Sequence, residues 1–463
     1  MCLPSSARPI RAPSVGGRSV TSSQMEAARG EGEGRGLDQL SGMVYRSETS
    51  ACVSPGAAGR VGRRTEYTFK ANAEAGRHAW LRLTAAYSRT LVEEILAAHG
   101  PTKRVFDPFC GTGTTALCAA YRGQRVVTVD INPFLVWFAR AKTARYTSHS
   151  LAEADAVGRA ALQLVGQRAV APVSAPPIAN IGRWWSPDSV EFLARLRAAI
   201  ERLTPADAPA CDLLLVAFCR TLIGLSNAAF NHQSMSFKDK DSKTENCNID
   251  KSQLFIKNLS FILEGARQNP LGDVSVICGD SRRVGECVTE RFDLVITSPP
   301  YANRVSYIRE LRPYMYWLGF LTDGGQAGAL DWEAIGGTWG SATSRLSRWR
   351  RSGNHFESEL LDKIIENIKS KKYKSAGLIS IYLYKYFDDL WAHFCQLPCV
   401  LNKGAELYYI IGNSSFYGVT VNTEQIVCDM LCKLKFTEIK CVPIRKRNSN
   451  KALVEFKVSA RWG

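Results

Sequence analysis

Several features that would assign this chain to a familiar class are missing from its sequence. No apolar run reaches the roughly 18 residues that a membrane-spanning helix needs, and no apolar stretch near the N-terminus leads into a small-residue cleavage site. The six histidines do not cluster, and the 14 cysteines are too scattered for a zinc site. The sequence therefore predicts a cytoplasmic protein without a membrane segment or a bound metal, whose cysteines are reduced core thiols.

Negative charge is also in short supply. The chain has 59 lysines and arginines against 43 aspartates and glutamates, which gives a formal net charge of +16. Such a surplus favours a polyanion as partner over an acidic small molecule. Many basic proteins bind no nucleic acid, so the charge alone does not choose the partner.

The N-terminal region lacks apolar periodicity. It is rich in glycine, serine, arginine and proline, and ordering it would cost more entropy than burial could recover. Residues 1–64 are therefore predicted to form a disordered extension. At 463 residues, the whole chain is long enough for two or three domains.

The most informative stretch that is present lies at residues 292–301, with the sequence FDLVITSPPY. Its branched, apolar first half predicts a buried strand, and Pro299 and Pro300 end that strand in a stiff exit because proline fixes φ. The Ser298 hydroxyl and the backbone carbonyls can accept hydrogen bonds from an exocyclic amino group, while the Tyr301 ring stacks on the base that carries it. A proline pair after a strand is also common in ordinary loops.

A second motif, VFDPFCGTGTT at residues 105–115, supports the functional interpretation. It predicts a strand, a glycine turn and a helix with Thr114 or Thr115 as its N-cap. The glycines let the backbone approach a ligand closely. The next strand ends in Asp130, about 20 residues after the glycines, where a carboxylate can bind both hydroxyls of a ribose. The two motifs together indicate a nucleotide-like cofactor beside a base.

The pair DPFCGTGTT and TSPPY resembles the amino-methyltransferases of DNA, which transfer a methyl group from S-adenosylmethionine to cytosine N4 or adenine N6. The resemblance covers most of residues 66–463 and extends to the segments at 69–80, 278–281 and 407–413. It implies an α/β, Rossmann-like S-adenosylmethionine-dependent methyltransferase fold, with a seven-stranded, mostly parallel sheet, an antiparallel C-terminal hairpin and a helical insertion.

The resemblance and the helical patterns divide the chain into four parts. Residues 1–64 are the disordered extension, and residues 65–150 are the first half of the methyltransferase domain, which binds the cofactor. Residues 151–270 form a mostly helical insertion, and residues 271–463 form the catalytic second half, which includes a candidate DNA-recognition segment at 321–375. Trp184 and Trp185 in the insertion are interpreted as core residues. The strands that end at Phe106 and Ile296 are neighbours in the implied sheet. A ligand is therefore expected in the crevice outside their carboxyl ends.

The implied mechanism lays S-adenosylmethionine across the glycine turn, with Asp107 toward the methionine amino group, Asp130 on the ribose and Asp280 on the adenine side. The predicted cofactor-binding residues are Asp107, Pro108, Cys110, Gly111, Thr112, Gly113, Thr114, Asp130, Ile131 and Asp280. Cys110 is expected to contribute its backbone rather than its sulfur.

The predicted catalytic residues are Ser298, Pro299, Pro300 and Tyr301. Hydrogen bonds from the amino group to Ser298 and to the Pro299 carbonyl would favour a pyramidal nitrogen, whose lone pair can attack the sulfonium methyl in line. No covalent enzyme intermediate is needed.

The segment at 321–375 interleaves aromatic and basic residues, a pattern that suits phosphate contact and base stacking. The residues predicted to contact DNA are Arg345, Arg348, Trp349, Arg350 and Arg351, and a lysine cluster follows at Lys369, Lys371 and Lys372. A solvated charged linker is the alternative interpretation.

The predicted function is methylation of cytosine N4 in duplex DNA with a flipped target base, within restriction-modification or phage defence in the nucleoid. A cognate restriction endonuclease is a candidate partner. Ser298 favours cytosine because the adenine enzymes more often carry Asp or Asn before the two prolines. Methylation of adenine N6, methylation of RNA at a site such as guanine N2, and an inactive DNA-binding regulator are the alternatives.

Overall fold

A computed structural model describes residues 64–68, 72, 76–81, 87–229, 236–238, 249–338, 341–351, 353–447 and 452–463. The extension predicted to be disordered, apart from its last residue, lies outside the described residues. So do most of residues 69–76, in the segment that carries part of the family resemblance.

One sheet of seven strands organises the chain. The strands of this sheet are β1 Val105–Asp107, β2 Val126–Asp130, β5 Val274–Cys278, β6 Phe292–Thr297, β7 Leu401–Gly412, β10 Thr437–Lys446 and β11 Val454–Arg461. In space they follow the order β10-β11-β7-β6-β1-β2-β5, with β11 antiparallel to both its neighbours and the other pairs parallel. Two small antiparallel pairs lie outside this sheet: β3 Ala228–Ala229 with β4 Ser236–Phe237, and β8 Ser414–Phe416 with β9 Val419–Val421.

The central strands are apolar and buried because helices cover both faces of a parallel sheet. Strands β1 and β6 pair through Val105 with Leu294 and Phe106 with Val295. The prediction that these two strands are neighbours is therefore confirmed, as is the mostly parallel sheet with its antiparallel C-terminal hairpin.

The described residues form fifteen helices. Their bounds are α1 Arg89–Ala97, α2 Thr114–Tyr121, α3 Pro133–Thr143, α4 Ser148–Gly166, α5 Ile181–Trp184, α6 Pro187–Leu203, α7 Pro209–Gly224, α8 Lys251–Arg267, α9 Val284–Cys287, α10 Tyr307–Trp317, α11 Gly324–Glu333, α12 Ser341–Arg348, α13 Glu359–Ser370, α14 Ala376–Gln396 and α15 Thr423–Lys433. Short 3₁₀ turns lie at Thr65–Tyr67, Gly76–Ala79, Ser281–Arg283 and Leu397–Val400. No helix among the described residues is both long enough and apolar enough to cross a membrane.

The inserted helices pack on one another and on α3 and α10. Trp184 and Trp185 are buried, as predicted for core residues. Helices α4 and α8 approach so closely that a Cβ at Gly158 would collide with Leu259. Arg197 on α6 donates a hydrogen bond of 2.9 Å to the Trp317 carbonyl at the end of α10, so the insertion is tied to the catalytic half.

Three details of the sequence prediction are wrong. The N-cap of α2 is Gly113 rather than a threonine, because the turn enters the helix through a left-handed residue with φ of 71°. The sequence from 332 to 374 lacks clean helical periodicity and predicts no regular element, yet it contains α12 and α13. Of the described cysteines, Cys278, Cys399 and Cys432 are exposed and are not core thiols.

Candidate active site

A cleft lies at the carboxyl ends of β1, β2, β5 and β6. It contains about 910 Å³ of empty space, open solvent included. The predicted site residues that line it are Pro108, Cys110, Gly111, Thr112, Thr114, Asp130, Ile131, Asp280, Ser298 and Pro300. The two sequence motifs, which lie almost 200 residues apart, therefore meet in one cavity.

The glycine turn forms the floor of the cleft beside β1. Gly111 and Gly113 both have positive φ, of 51° and 71°, which a residue with a side chain adopts only with strain. A Cβ at Gly113 would lie 3.2 Å from the Cβ of Ala139 on α3, so the second glycine also allows α2 to start against α3. The backbone of Cys110 helps to hold the turn, since its N–H donates to the Val129 carbonyl and its carbonyl accepts from the N–H of Gly113.

Lys142 supports the turn from beneath. Its Nζ donates a hydrogen bond of 2.8 Å to the carbonyl of Thr112, and its side chain is buried. Burial lowers the pKa of Lys142 to about 8. Sequence reasoning missed this residue because a lysine on a helix usually reaches solvent.

Asp130 closes the cofactor side of the cleft. Its Oδ2 accepts a hydrogen bond of 2.8 Å from the N–H of Gly111, and its Oδ1 accepts one of 2.9 Å from Asn132. Burial raises the pKa of Asp130 to about 7, although these two hydrogen bonds act in the opposite direction. Each carboxylate oxygen keeps a second lone pair, so the pair of hydroxyls on a ribose fits this side chain.

Asp107 is fully buried below the glycine turn. Its Oδ1 accepts hydrogen bonds of 2.6 Å from the Thr297 hydroxyl and 3.1 Å from the N–H of Phe109. Its Oδ2 has no hydrogen-bond partner among the described residues. Burial raises the pKa of Asp107 to about 6, against the effect of these hydrogen bonds. An unpaired buried carboxylate oxygen is costly, and a cationic amino group would satisfy it.

Asp280 lines the cleft at the end of β5, where Arg282 fixes its carboxylate. Arg282 donates to both oxygens of Asp280 and also to Asp389, with a shortest distance of 2.7 Å to Asp280 Oδ2. Burial alone would raise the pKa of Asp280, but the hydrogen bonds and the charge of Arg282 lower it below the ordinary value. Sequence reasoning missed Arg282, although it stands two residues after the predicted aspartate.

The target side of the cleft is formed by the exit from β6. The Ser298 hydroxyl donates a hydrogen bond of 3.0 Å to the Ile410 carbonyl on β7, so its lone pairs remain able to accept one. The carbonyl of Pro300 accepts a hydrogen bond of 2.7 Å from the Tyr386 hydroxyl on α14. Ser298 and Pro300 line the cleft, whereas Pro299 is buried and does not.

Tyr301 lies outside the lining of the cleft, between the end of β7 and the end of β10. A Cβ at Gly412 would lie 2.8 Å from the Cε2 of its ring, so the ring occupies the space that this glycine leaves. The Arg447 guanidinium stands 5.4 Å from the ring centroid. Burial raises the pKa of Tyr301, and the carboxylate of Glu455 raises it further. The stacking of Tyr301 on a base stays a prediction.

The residues predicted to contact DNA lie on α12 and just after it. Arg345, Arg348 and Arg350 are exposed, whereas Trp349 and Arg351 are partly buried. Arg351 forms an ion pair of 2.9 Å with Asp388 on α14. Its guanidinium also lies over the Tyr384 ring. Arg351 is therefore engaged within the chain, and the three exposed arginines are the candidates for phosphate contact.

The fold and the site together define a class. A seven-stranded sheet in this order, with a glycine turn after β1 and carboxylates after β2 and β5, is the Rossmann-like methyltransferase fold. Asp130 lines the cleft and fits the ribose of S-adenosylmethionine. Asp107 does not line the cleft, although its unpaired oxygen suits a methionine ammonium, so that contact stays a prediction. S-adenosylmethionine is the methyl donor that this class of protein uses.

Comparison with known proteins gives a consistent result. A family model described as D12 class N6 adenine-specific DNA methyltransferase matches residues 89–163. The type II methyltransferase M.MvaI of Kocuria varians is 21% identical over 356 residues, which cover 72% of this chain and 74% of that protein. The type II methyltransferase M.BsoBI of Geobacillus stearothermophilus is 34% identical over 68 residues, which cover 14% of this chain and 13% of that protein.

Two solved structures of the rRNA methyltransferase aviRa from Streptomyces viridochromogenes were also matched. They cover 81% and 85% of this chain and 85% and 92% of their own chains, with TM-scores of 0.24 and 0.26 and identities of 12% and 10%. The fold assignment rests on the strand order of this chain itself. The family model and the relatives support an amino-methyltransferase of DNA and leave cytosine N4 and adenine N6 both open.

Proposed function

We propose that the protein transfers a methyl group from S-adenosylmethionine to the N4 amino group of cytosine in duplex DNA. The observation that carries the proposal is the meeting of Ser298 and Asp130 in one cleft. One of them is a neutral hydrogen-bond acceptor suited to an amino group, and the other is a carboxylate suited to a ribose. A base can reach Ser298 only after it leaves the helical stack.

Ser298 supports cytosine rather than adenine. Its hydroxyl donates to Ile410, so it offers lone pairs but no full negative charge to the incoming amino group. The adenine family model matches residues 89–163, which include the glycine turn and Asp130 but stop well before Ser298. That match therefore covers residues on the cofactor side of the site and does not include the residue proposed to contact the base.

The chain's own residues have distinct tasks in this mechanism. Asp107 holds a cationic amino group, Asp130 orients a ribose, and Ser298, which lines the cleft, accepts a hydrogen bond from the base amino group. That hydrogen bond draws the nitrogen toward a pyramidal geometry, in which its lone pair is less delocalised into the ring. The cofactor supplies a methyl group on a sulfonium, and the amino nitrogen loses one proton on methylation.

The biological setting is part of the same proposal. Both curated relatives are named type II methyltransferases, which supports restriction-modification or phage defence with a cognate endonuclease as partner. Duplex DNA would be held through the exposed side chains of Arg345, Arg348 and Arg350. Association with the nucleoid follows from that substrate.

Adenine N6 is the second candidate, and the family model is the observation that favours it. An adenine amino group presents the same two protons as the cytosine amino group, so Ser298 does not exclude it.

Mass spectrometry of the product tests the proposal. Duplex DNA and a structured RNA are incubated separately with the full chain and S-adenosylmethionine, then digested to nucleosides. We expect N4-methylcytosine in the DNA sample only. N6-methyladenine would overturn the base assignment and keep the enzyme class, whereas methyl transfer to RNA alone would overturn both.

A further inference from the structure

A pair of stacked tyrosines, of which Tyr373 is exposed and Tyr417 is partly buried, lies on the surface of the catalytic half. Tyr373, which follows α13, is 56% exposed. Its ring stacks on Tyr417, with centroids 4.2 Å apart and planes 16° from parallel. The Tyr417 hydroxyl is hydrogen-bonded to Ser375, so the two rings are held in place before any partner binds.

The chain around Tyr373 is strongly basic. Residues 369–374 contain four lysines and no acidic residue. All four lysine side chains are exposed, and none forms an ion pair with another described residue. We call Tyr373, Tyr417 and these lysines the tyrosine–lysine patch; the lysines are Lys369, Lys371, Lys372 and Lys374.

The sheet topology puts this patch on the same side of the molecule as the cleft. Strand β7 runs parallel to β6, so its last residue, Gly412, lies at the sheet end where Ser298 follows β6. Strand β8 starts two residues after Gly412, and Tyr417 lies in the turn between β8 and β9. The hairpin that carries Tyr417 therefore projects from the end of the sheet that holds the cleft.

Side-chain contacts connect the same hairpin to the loop after Tyr301. The Phe416 ring on β8 meets the Tyr382 ring edge-on at a centroid distance of 6.1 Å. The Tyr382 hydroxyl accepts a hydrogen bond of 3.1 Å from the N–H of Arg304. The tyrosine–lysine patch is thus anchored to the segment that follows the predicted catalytic residues.

We propose that the tyrosine–lysine patch binds the phosphodiester backbone of the DNA duplex beside the flipped base, as a second contact in addition to the arginines of α12. This inference rests on the proposed function. Lysine ammonium groups act as point charges for phosphate, and binding them releases condensed counterions. An exposed aromatic face packs on sugar and base surfaces irrespective of sequence. Because the two rings are already stacked, little side-chain entropy is lost on binding.

The test is a duplex-binding titration by fluorescence anisotropy with the full chain at several salt concentrations. The test variant combines Lys371→Ala, Lys372→Ala and Lys374→Ala. The control variant removes the same charge through Lys103→Ala, Lys403→Ala and Lys435→Ala, which lie near the amino ends of β1, β7 and β10, at the opposite end of the sheet. We expect the test variant to flatten the logarithmic salt slope by about two to three units, about one per lost phosphate contact, and the control to leave it unchanged.

Single substitutions at Tyr373 and at Lys372 test the aromatic component and the charged component of the patch separately. Tyr373→Ala should weaken binding severalfold and leave the salt slope unchanged, whereas Tyr373→Phe should bind as the parent does. Lys372→Glu provides a single-site charge change with the same expected direction as the triple variant.

The outcomes distinguish this inference from the proposed function. A parent protein that methylates DNA, together with a lysine variant whose slope equals that of the parent, would overturn the patch and keep the function. Equal slope changes in the test and control variants would also overturn it, because the effect would then be one of net charge alone. If the parent neither binds nor methylates duplex DNA, the proposed function itself is wrong.

Discussion

The two sides of the candidate site are built from contacts of very different reach along the chain. On the cofactor side, Asp130 is held by Gly111 and Asn132, which are 19 and 2 residues away. On the target side, Ser298 is held by Ile410, which is 112 residues away. The glycine turn with Asp130 is therefore a nearly local structure, whereas Ser298 is positioned only when β7 has joined the sheet. Asp107 on the cofactor side is also held from far along the chain, by Thr297, which is 190 residues away.

This difference fits the extent of the family-model match. A local structure is encoded in one short segment, and the family model matches a single segment of that kind at 89–163. The target side depends on strand pairing between segments that are far apart in the sequence. There the Tyr301 ring packs against Gly412, and the Pro300 carbonyl accepts a hydrogen bond from the Tyr386 hydroxyl. Substitutions at the target side should therefore impair methyl transfer while cofactor binding is retained.

The largest expected effect is that of Ser298→Ala. Removal of the acceptor for the base amino group should lower kcat by at least about 100-fold and leave the Kd for S-adenosylmethionine unchanged. Single-turnover kinetics with calorimetry measures both quantities. Ser148→Ala, an exposed serine at the start of α4, is the matched control. A loss of cofactor affinity as large as the loss in kcat would contradict the separation of the two sides.

Asp130→Ala tests the cofactor side of the cleft. It removes a charge-assisted contact to the ribose worth about 1.5–3 kcal/mol, so the affinity for S-adenosylmethionine should fall roughly 10- to 100-fold. Asp130→Asn keeps one acceptor oxygen and should lose less. Calorimetry that gives equal affinities for the parent and Asp130→Ala would remove Asp130 from the site.

Gly412→Ala should perturb the target side without touching the cleft. Its new Cβ would lie 2.8 Å and 2.9 Å from two ring carbons of Tyr301, so the ring must shift. Overpacking of this kind costs about 1–3 kcal/mol, and kcat should fall about tenfold with cofactor affinity retained. Gly377→Ala on α14, where a Cβ meets nothing within 4 Å, is the matched glycine control. Full activity of Gly412→Ala would show that the position of Tyr301 is unimportant for transfer.

The parts of the fold that could be predicted from the sequence are those with a local signal. The run VSVIC marks β5 at Val274–Cys278, and the proline pair marks the end of β6. Asp130 was found because a fixed spacing connects it to the glycine turn. Arg447, Gly412 and Lys142 could not be found in this way, since each acquires its role from a partner that only the folded chain brings near.

Two errors have a clear physical cause. Threonine is a preferred N-cap, but close packing of the turn against Ala139 requires a left-handed glycine at that place in the chain. Helix α13 has buried apolar residues at helical spacing, but the polar sequence around it dilutes that signal in a wide window. The buried residues are Leu361, Ile364, Ile365 and Ile368.

The affinity for S-adenosylmethionine should depend on pH through the carboxyls of Asp107 and Asp130. Burial raises the pKa of Asp107 to about 6 and that of Asp130 to about 7, so both are partly protonated in the free protein near neutrality. A cationic ligand and ribose hydroxyls favour the ionised carboxylates, so the affinity should rise about tenfold from pH 6 to pH 8 and then level off. Calorimetry in buffers of different ionisation enthalpy should detect proton release on binding below about pH 7. An affinity that is constant over this range would contradict the assignment.

The raised pKa values of Asp107 and Asp130 also make the stability of the unliganded protein depend on pH. Because both folded-state pKa values lie above the ordinary range, these two carboxyls make the protein less stable as pH rises from about 4 to about 7.

The smallest expected effect separates two arginines that lie three residues apart. Arg348 is exposed on α12, so Arg348→Ala should lower the salt slope of duplex binding by about one unit. Arg351 is ion-paired with Asp388 and covers Tyr384, so Arg351→Ala should leave the slope unchanged and lower the melting temperature instead, because the Asp388 carboxylate loses its partner. Anisotropy titrations at four or more salt concentrations, with a thermal melt of each variant, measure both effects. The reverse pattern, in which Arg351→Ala changes the slope and Arg348→Ala changes the stability, would show that the ion pair opens when DNA binds and that the exposed face of α12 is a solvated surface.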